Sequence, residues 1–294
     1  MLGKIFVKNL TIKTLKIYLT TTPFCDILIN VISERYTLKR GRYFTMNICV
    51  FDTETTSLEK PFTYNIGYTI ADTETAEILT KKDFVVEQIW HNLPLFSSAY
   101  YADKRDIYVR ALKGRSMLMK KFGYITQEMA RDFENFEIEN AYAFNSSFDE
   151  KVFDFNCDWF KCINPFDNIK IFDIRAFAIK YLVNDEYKQF CEQNGLFTES
   201  GNYSTTAESF YKFLTRDTEF IESHTALADS EIETAILFAC TTDECELTEK
   251  HSCPRSIPRE TEKSLIVKQN GEIVLDTTYK SMTYYKSKGI INLK

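Results

Sequence analysis

Short apolar and alternating runs in the middle of the chain predict a series of strands. The runs are Asn47–Phe51, Tyr64–Ala71 and Ala76–Val86, and the polar residues Asp72–Thr75 separate the last two. Because turns favour Asp and Thr, this order predicts a three-stranded meander with a turn between its second and third strands.

Farther along the chain, strand patterns alternate with helical ones. Helices are expected in parts of 95–135. Ala141–Phe144 and Ile169–Phe172 predict the fourth and fifth strands, and helices follow each of them, one over Asp173–Leu182. A helical period is carried by Phe148, Val152 and Phe155, and in the last helix by Ile232, Ala235, Ile236 and Ala239. This order is typical of an α/β fold in which helices flank a mixed five-stranded sheet.

Composition narrows the class of protein. The chain has 294 residues, of which 44% are hydrophobic and 27% charged, as expected for a soluble globular protein with one large domain plus appendages. No apolar run reaches the ~18 residues that a membrane span requires. The eight cysteines are irregularly spaced without a secretory signal pattern, which favours reduced thiols and a cytoplasmic location.

Charge divides the chain into three segments. Residues 1–45 carry eight Lys or Arg against two acidic residues, 46–249 carry nineteen against thirty-six, and 250–294 carry nine against four. We therefore expect a body at 46–249 between an N-terminal extension and a basic C-terminal tail. For the extension, a targeting peptide and a translation start at Met46 are both open interpretations.

Four acidic residues and one histidine stand where the predicted fold would bring them together. Asp52 and Glu54 are two residues apart at the end of the first strand, so both point to one face of the sheet. Asp149 follows the fourth strand, and Asp229 lies near the start of the last helix, five residues after His224. Carboxylates this close raise one another's pKa values unless cations separate them, and oxygen ligands favour Mg²⁺ or Mn²⁺ over zinc. With histidine available to deprotonate a water, the set predicts a metal-dependent nuclease.

The three segments that carry these residues resemble a known set of motifs. Phe51–Thr56, Asn145–Asp149 and His224–Asp229 are similar to the Exo I, Exo II and Exo III motifs of the DEDD exonuclease superfamily. The His-x-Ala-x-x-Asp pattern at 224–229 resembles the DEDDh or DnaQ-like branch, which includes the proofreading subunit of bacterial DNA polymerase III and ribonuclease T. The resemblance covers about Met46–Cys240, and it implies that 46–249 is an exonuclease domain.

The resemblance implies a ribonuclease H-like fold and a 3′–5′ exonuclease that releases 5′-mononucleotides from single-stranded 3′ ends of DNA or RNA. Two Mg²⁺ or Mn²⁺ ions are implied as cofactors. Asp52, Glu54 and Asp229 would hold one ion. Asp52 would bridge to the second, which Asp149 supports, and His224 would be the general base.

Substrate-binding residues are implied by the same motifs. Thr55, Thr56 and Leu58 are expected to contact the terminal sugar and base, with Asn145 and Phe148 nearby. Relatives often place a glycine before that leucine, whereas this chain has Ser57. The choice between DNA and RNA stays open, because it depends on contacts to the 2′-hydroxyl group.

Several alternatives accompany these predictions. The string Asp-Thr-Glu-Thr recurs at 72–75, where a turn explains it, and Asp154 competes with Asp149. His224 could be structural. A zinc site at Cys240, Cys245, His251 and Cys253 competes with ordinary thiols. A catalytically idle nucleic-acid-binding protein and a polymerase-accessory subunit are the competing functions, and a homodimer is a further partner implied by the family.

Basic residues supply two more hypotheses. Those between 103 and 121 either contact nucleic acid or form a solvated helix face; they are Lys104, Arg105, Arg110, Lys113, Arg115, Lys120 and Lys121. In the tail, Asn270-Gly271 between Leu265–Gln269 and Glu272–Asp276 predicts a β-hairpin. The hairpin either touches nucleic acid or only packs on the body.

Overall fold

The computed structural model describes residues 46–241 and 247–259, together with the backbone of short strands at 264–268, 273–276 and 290–292. The expected N-terminal extension, 1–45, lies outside the described residues, as does Cys245 of the hypothetical zinc site.

A six-stranded mixed sheet forms the centre of the body. Its strands lie in the order β4-β3-β2-β1-β5-β6. Only β2 is antiparallel to its neighbours, and the other pairs run parallel. The strands are β1 Asn47–Thr55, β2 Thr63–Asp72, β3 Ile78–Val86, β4 Leu118–Lys120, β5 Asn140–Ala143 and β6 Lys170–Asp173. This order and these directions confirm the predicted ribonuclease H-like α/β fold.

The prediction of five strands was wrong by one. The additional strand, β4, has three residues and pairs in parallel with the edge of β3, where Leu118 lies opposite Phe84. Leu118 is exposed, so no alternation of buried and exposed positions marks the strand. Strand β4 forms because it pairs with β3, and this tertiary pairing leaves no pattern in the local sequence.

Helices cover the sheet and supply its connections. The α-helices are α1 Glu87–Trp90, α2 Leu93–Phe96, α3 Arg105–Gly114, α4 Phe122–Asn135, α5 Ser147–Phe160, α6 Ile174–Leu182, α7 Asp185–Asn194, α8 Ala207–Thr215 and α9 Ala226–Cys240. A short 3₁₀ turn at Ala102–Lys104 precedes α3. The predicted helices after β5 and β6 and the last helix of the body are confirmed.

Strand β1 is buried between two layers. On one face, the Phe51 ring lies 4.4 Å from the ring of Phe166 and 5.8 Å from that of Phe153 on α5. On the opposite face, α9 packs on β1 and β2. Because neighbouring side chains of a strand alternate between faces, Asp52 and Glu54 lie on the α9 side.

Gly67 allows α9 to approach the sheet closely. It pairs with Asp52 across β1 and β2. A Cβ atom at this position would lie 2.0 Å from the backbone nitrogen of Leu227 and 2.3 Å from the carbonyl carbon of Ala226. Only glycine leaves room for the first turn of α9 at this point, so Gly67 sets the distance between that turn and Asp52.

The C-terminal tail contains a second, three-stranded sheet. Strand β7, Ser264–Lys268, pairs antiparallel with β8, Ile273–Asp276, and with β9, Ile290–Asn292. The strand pairing of the predicted hairpin is confirmed, while its Asn-Gly turn lies outside the described residues.

The segment before this sheet runs along the body. Ile257 forms a β-bridge with Tyr203, and Arg259 donates hydrogen bonds of 2.7 and 2.6 Å to the two carboxylate oxygens of Glu192.

Within the part of the chain that the structure describes, we find no helix with the length and apolar character needed to cross a membrane.

Candidate active site

Asp52 and Glu54 enter the site from the carboxyl end of β1. Asp52 is half-buried and Glu54 is 9% exposed. The Tyr64 hydroxyl donates a 3.4 Å hydrogen bond to Glu54 Oε2. A register shift follows Glu54 in the β1–β2 ladder, so the chain leaves the regular sheet directly after the second carboxylate.

Asp149 lies in the first turn of α5, next to the end of β5. It is buried, and the Thr53 hydroxyl donates a 2.6 Å hydrogen bond to its Oδ1 atom. Asp154, its competitor in the sequence, is exposed and accepts a hydrogen bond from Asn164. The structure therefore places Asp149, and not Asp154, beside β1.

Asp229 and His224 come from the start of α9 and the loop before it. Asp229 is buried in the first turn, and its Oδ1 atom has no hydrogen-bond partner among the described residues. Ligand atoms of Glu54, His224 and Asp229 all lie within 4.8 Å of one another. Among the described residues, these three form the sole group of His, Cys and acidic side chains with such spacing.

The environment of the site disfavours the ionised form of its acidic residues. Burial is the main cause, and it raises the pKa of Glu54 to about 8, that of Asp149 to about 7 and that of Asp229 to about 9. Burial also raises the pKa of Asp52 well above its ordinary value, and the neighbouring carboxylates raise it further. The protein has therefore assembled negative groups without enough positive charge to neutralise them.

A divalent cation fits this group of side chains. The unpartnered Oδ1 atom of Asp229 and the carboxylate of Glu54 offer hard oxygen ligands, and an imidazole nitrogen of His224 lies within 4.8 Å of these ligand atoms. Oxygen-rich sets of this kind suit Mg²⁺ or Mn²⁺. A bound cation would also offset the burial and the repulsion that raise the pKa values of the acids.

Two residues without a sequence motif hold His224. The Tyr101 ring stacks on the imidazole, with centroids 4.2 Å apart and planes inclined by 11°. Lys104 Nζ donates a 2.8 Å hydrogen bond to the carbonyl oxygen of Ser223 and lies 4.7 Å from the centroid of the Tyr101 ring. Burial, and then the charge of Lys104, lower the pKa of His224. At neutral pH the imidazole is therefore mostly uncharged.

The predicted substrate-binding residues differ in exposure. Leu58 is 83% exposed, Thr55 and Phe148 are half-buried, and Asn145 is exposed. Thr56 is only 2% exposed, and its hydroxyl is directed at the carbonyl oxygen of Lys60, 3.5 Å away. Leu58, Thr55, Phe148 and Asn145 are thus accessible from solvent, whereas Thr56 supports the loop from within.

The basic residues between 103 and 121 differ in their surroundings. Lys104 belongs to the site, Arg105 lies over the Trp90 ring at 4.3 Å, and Lys120 pairs with Glu128. The remaining four basic residues of the run, which are Arg110, Lys113, Arg115 and Lys121, are exposed.

The residues of the hypothetical zinc site do not form a metal-binding group within the described chain. Cys240 is buried at the end of α9. His251 packs against Phe177, and Cys253 Sγ accepts a 3.0 Å hydrogen bond from Arg175.

Comparison with known proteins gives structural similarity alone. No protein-family model and no curated protein sequence matches the chain. The nuclease domain of 3′hExo, a DEDDh family member solved with bound rAMP, is similar over 67% of this chain and 92% of that chain, with 15% identity and a TM-score of 0.45. A 3′-exonuclease solved in the recognition of histone mRNA stem-loop is similar over 87% of this chain and 85% of its own, with 15% identity and a TM-score of 0.48. Exonuclease I of E. coli in complex with a dA16 oligonucleotide is similar over 65% of this chain and 39% of that chain, with 15% identity and a TM-score of 0.39.

Proposed function

We propose that the chain is a metal-dependent 3′–5′ exonuclease that hydrolyses phosphodiester bonds at single-stranded 3′ ends of DNA or RNA. One observation carries the proposal. Three segments, each about 80 or more residues from the next along the sequence, bring the acids of β1, α5 and α9 and one histidine to the same end of the sheet. These residues are Asp52, Glu54, Asp149, Asp229 and His224.

The proposed chemistry assigns a role to each residue. Two Mg²⁺ or Mn²⁺ ions, when bound, would supply positive charge at the attacking water and at the leaving oxygen. Asp52, Glu54 and Asp229 would hold the first ion, and Asp52 and Asp149 would hold the second. His224 accepts the proton of the attacking water at a ring nitrogen, which is available because burial and Lys104 lower the imidazole pKa.

The accessible residues beside the acids receive the 3′-terminal nucleotide. Leu58 offers an exposed apolar side chain for contact with a base, and Phe148 offers an aromatic ring for stacking. Thr55 supplies a hydroxyl near the terminal sugar. Hydrolysis at this position would release one 5′-mononucleotide in each cycle.

Digestion of end-labelled polymers tests the proposal. Single-stranded DNA and RNA of matched sequence, labelled at the 5′ or the 3′ end, are incubated with Mg²⁺ or Mn²⁺. We expect a ladder that shortens from the 3′ end with wild-type protein and with Asp154→Asn, the exposed neighbour of the site. Asp52→Ala and His224→Ala should abolish or strongly reduce the ladder.

Three results would contradict the proposal. Cleavage that survives in Asp52→Ala would identify a contaminating nuclease. Tight binding of the polymers by the wild-type chain without cleavage under either metal would favour a catalytically idle binding protein. If activity appears only when the chain is purified with a polymerase, the accessory-subunit function replaces that of a free exonuclease.

A further inference from the structure

A fifth acidic residue, Glu233, lies beside the four proposed metal ligands. It follows Asp229 by four residues in α9, so the two side chains lie on the same face of the helix, one turn apart. Glu233 is 3% exposed, and its buried Oε2 atom has no hydrogen-bond partner in the part of the chain that the structure describes.

The surroundings of Glu233 are negatively charged. The charged groups that act on it most strongly are Asp149, Asp229 and Glu222, and a backbone hydrogen bond from Phe144 opposes them. In turn, Glu233 exerts the largest effect of any charged group on Asp52. This carboxylate is therefore buried close to the other acidic residues and away from solvent.

A structural explanation fits Glu233 poorly. Burial of a carboxylate without a cation or a full set of hydrogen bonds costs several kcal/mol. Two neighbouring polar residues of α9 are satisfied: Glu231 pairs with Lys81 at 2.7 Å, and the Thr234 hydroxyl lies 2.7 Å from that of Thr69. Among the described residues, no side chain gives Glu233 such a partner, and a cation from outside the chain would supply the missing positive charge.

On the side of the site near Asp52 and Asp149, one carboxylate oxygen is already engaged. The Oδ1 atom of Asp149 already accepts the 2.6 Å hydrogen bond from the Thr53 hydroxyl. A cation held between Asp52 and Asp149 would thus gain from one more carboxylate on that side.

We propose that Glu233 is a fifth carboxylate of the divalent-metal centre and contributes its Oε2 atom on the side of Asp52 and Asp149. The inference rests on the proposed function in one respect, since both need a divalent cation at this site. It adds a residue outside the three motifs.

Metal binding measured without nucleic acid tests this role. Wild-type protein, Glu233→Gln and the matched control Glu231→Gln are titrated with Mn²⁺ alone, by calorimetry and by loss of the free-ion electron paramagnetic resonance signal. We expect Glu233→Gln to lose one bound Mn²⁺ or to weaken it by about 10- to 100-fold, as for removal of a group that supports a metal site. Glu231→Gln, on the outer side of the same helix, should bind Mn²⁺ as wild type does.

Apo stability provides a second readout. Without metal, Glu233→Gln should melt at a higher temperature than wild type, because an unpaired buried carboxylate is removed. If Glu233→Gln fails to fold, Glu233→Met, which keeps the length of the side chain, takes its place in both measurements.

Unchanged stoichiometry and affinity for Mn²⁺ in a folded Glu233 variant would overturn the inference, as would a wild-type chain that binds no Mn²⁺. The nuclease assay does not enter this decision. A wild-type chain that binds Mn²⁺ through Glu233 but cleaves no polymer would support the inference and reject the proposed function.

Discussion

The ring of Tyr101 lies parallel to the imidazole of His224, with 4.2 Å between the ring centroids. His224 has a φ angle of 53°, in the left-handed region that costs energy for a residue other than glycine. Its carbonyl oxygen also accepts a 3.4 Å hydrogen bond from the Tyr108 hydroxyl. The stack and the hydrogen bond together hold the histidine in a conformation that it would not adopt by itself.

Loss of this stack should impair catalysis more than binding. We expect Tyr101→Leu to lower kcat by about 10- to 100-fold with little change in KM, because a misplaced general base slows proton transfer. Tyr101→Phe keeps the ring and should retain near wild-type kcat. In a His224→Ala background, Tyr101→Leu should have little further effect on kcat, which single-turnover assays can measure. Additive losses would indicate that Tyr101 acts independently of the histidine.

Lys104 should control the pH dependence of the reaction. Its charge lowers the pKa values of His224, Glu54 and Asp229. Lys104→Met should therefore raise the pKa of His224, and the acidic limb of the kcat/KM profile should move to higher pH, since the base must be uncharged. Lys113→Met removes an exposed charge from the same basic run and serves as the control. Identical profiles for the two variants would contradict this assignment.

Metal should stabilise the protein more at high pH than at low pH. The pKa of Glu54 is raised from 4.5 to about 8 and that of Asp229 from 3.8 to about 9. Because the folded state binds these protons more tightly than the unfolded state, the metal-free protein loses stability as pH rises from about 4 to about 9. A bound cation offsets that loss. Melting temperatures with Mn²⁺ and with EDTA should differ more at pH 9 than at pH 6, and less for Asp229→Asn than for wild type.

Asp83 should add a pH-dependent loss of stability outside the site. Burial raises its pKa from 3.8 to about 7, although Asn65 donates a 2.7 Å hydrogen bond to its Oδ1 atom. Stability from this group is complete below pH 4 and falls as pH rises toward 7 and beyond, by up to about 4 kcal/mol. Asp83→Asn keeps an acceptor for Asn65 and should flatten the dependence in urea unfolding between pH 4 and pH 8. The exposed Asp158→Asn should leave it unchanged.

Gly67→Ala should displace the first turn of α9. The new methyl group would overlap the backbone of Ala226 and Leu227, which cannot move without shifting Asp229. We expect a loss of unfolding free energy of about 3 kcal/mol or more, together with weaker Mn²⁺ binding. At Gly114 in α3, a Cβ atom would meet nothing within 4 Å, so Gly114→Ala should stabilise the protein by about 0.5–1 kcal/mol. Equal stability of the two variants would refute close packing at Gly67.

The local placement of the four predicted acidic residues could be read from the sequence. Alternation along β1 places Asp52 and Glu54 on one face, and the first turns of α5 and α9 carry Asp149 and Asp229. Side chains repeat every two residues along a strand and every 3.6 residues along a helix because of backbone geometry alone. Both periods can therefore be recognised in the sequence without tertiary contacts. The antiparallel meander, the helices after β5 and β6 and the hairpin strands were predictable for the same reason.

The remaining features needed the tertiary structure. Strand β4 exists only through its pairing with β3, and Tyr101 and Lys104 reach His224 across more than 100 residues of sequence. Glu233 looks in the sequence like any acidic residue of a helix. Its buried and unpartnered state arises from the packing of α9 on β1, to which Gly67 contributes from another strand. The amino-acid sequence by itself determined the types and local spacing of the chemical groups, because these follow from backbone periodicity. Only the tertiary structure decided which distant groups meet and which are left without a partner, because burial and charge pairing depend on contacts between separate elements.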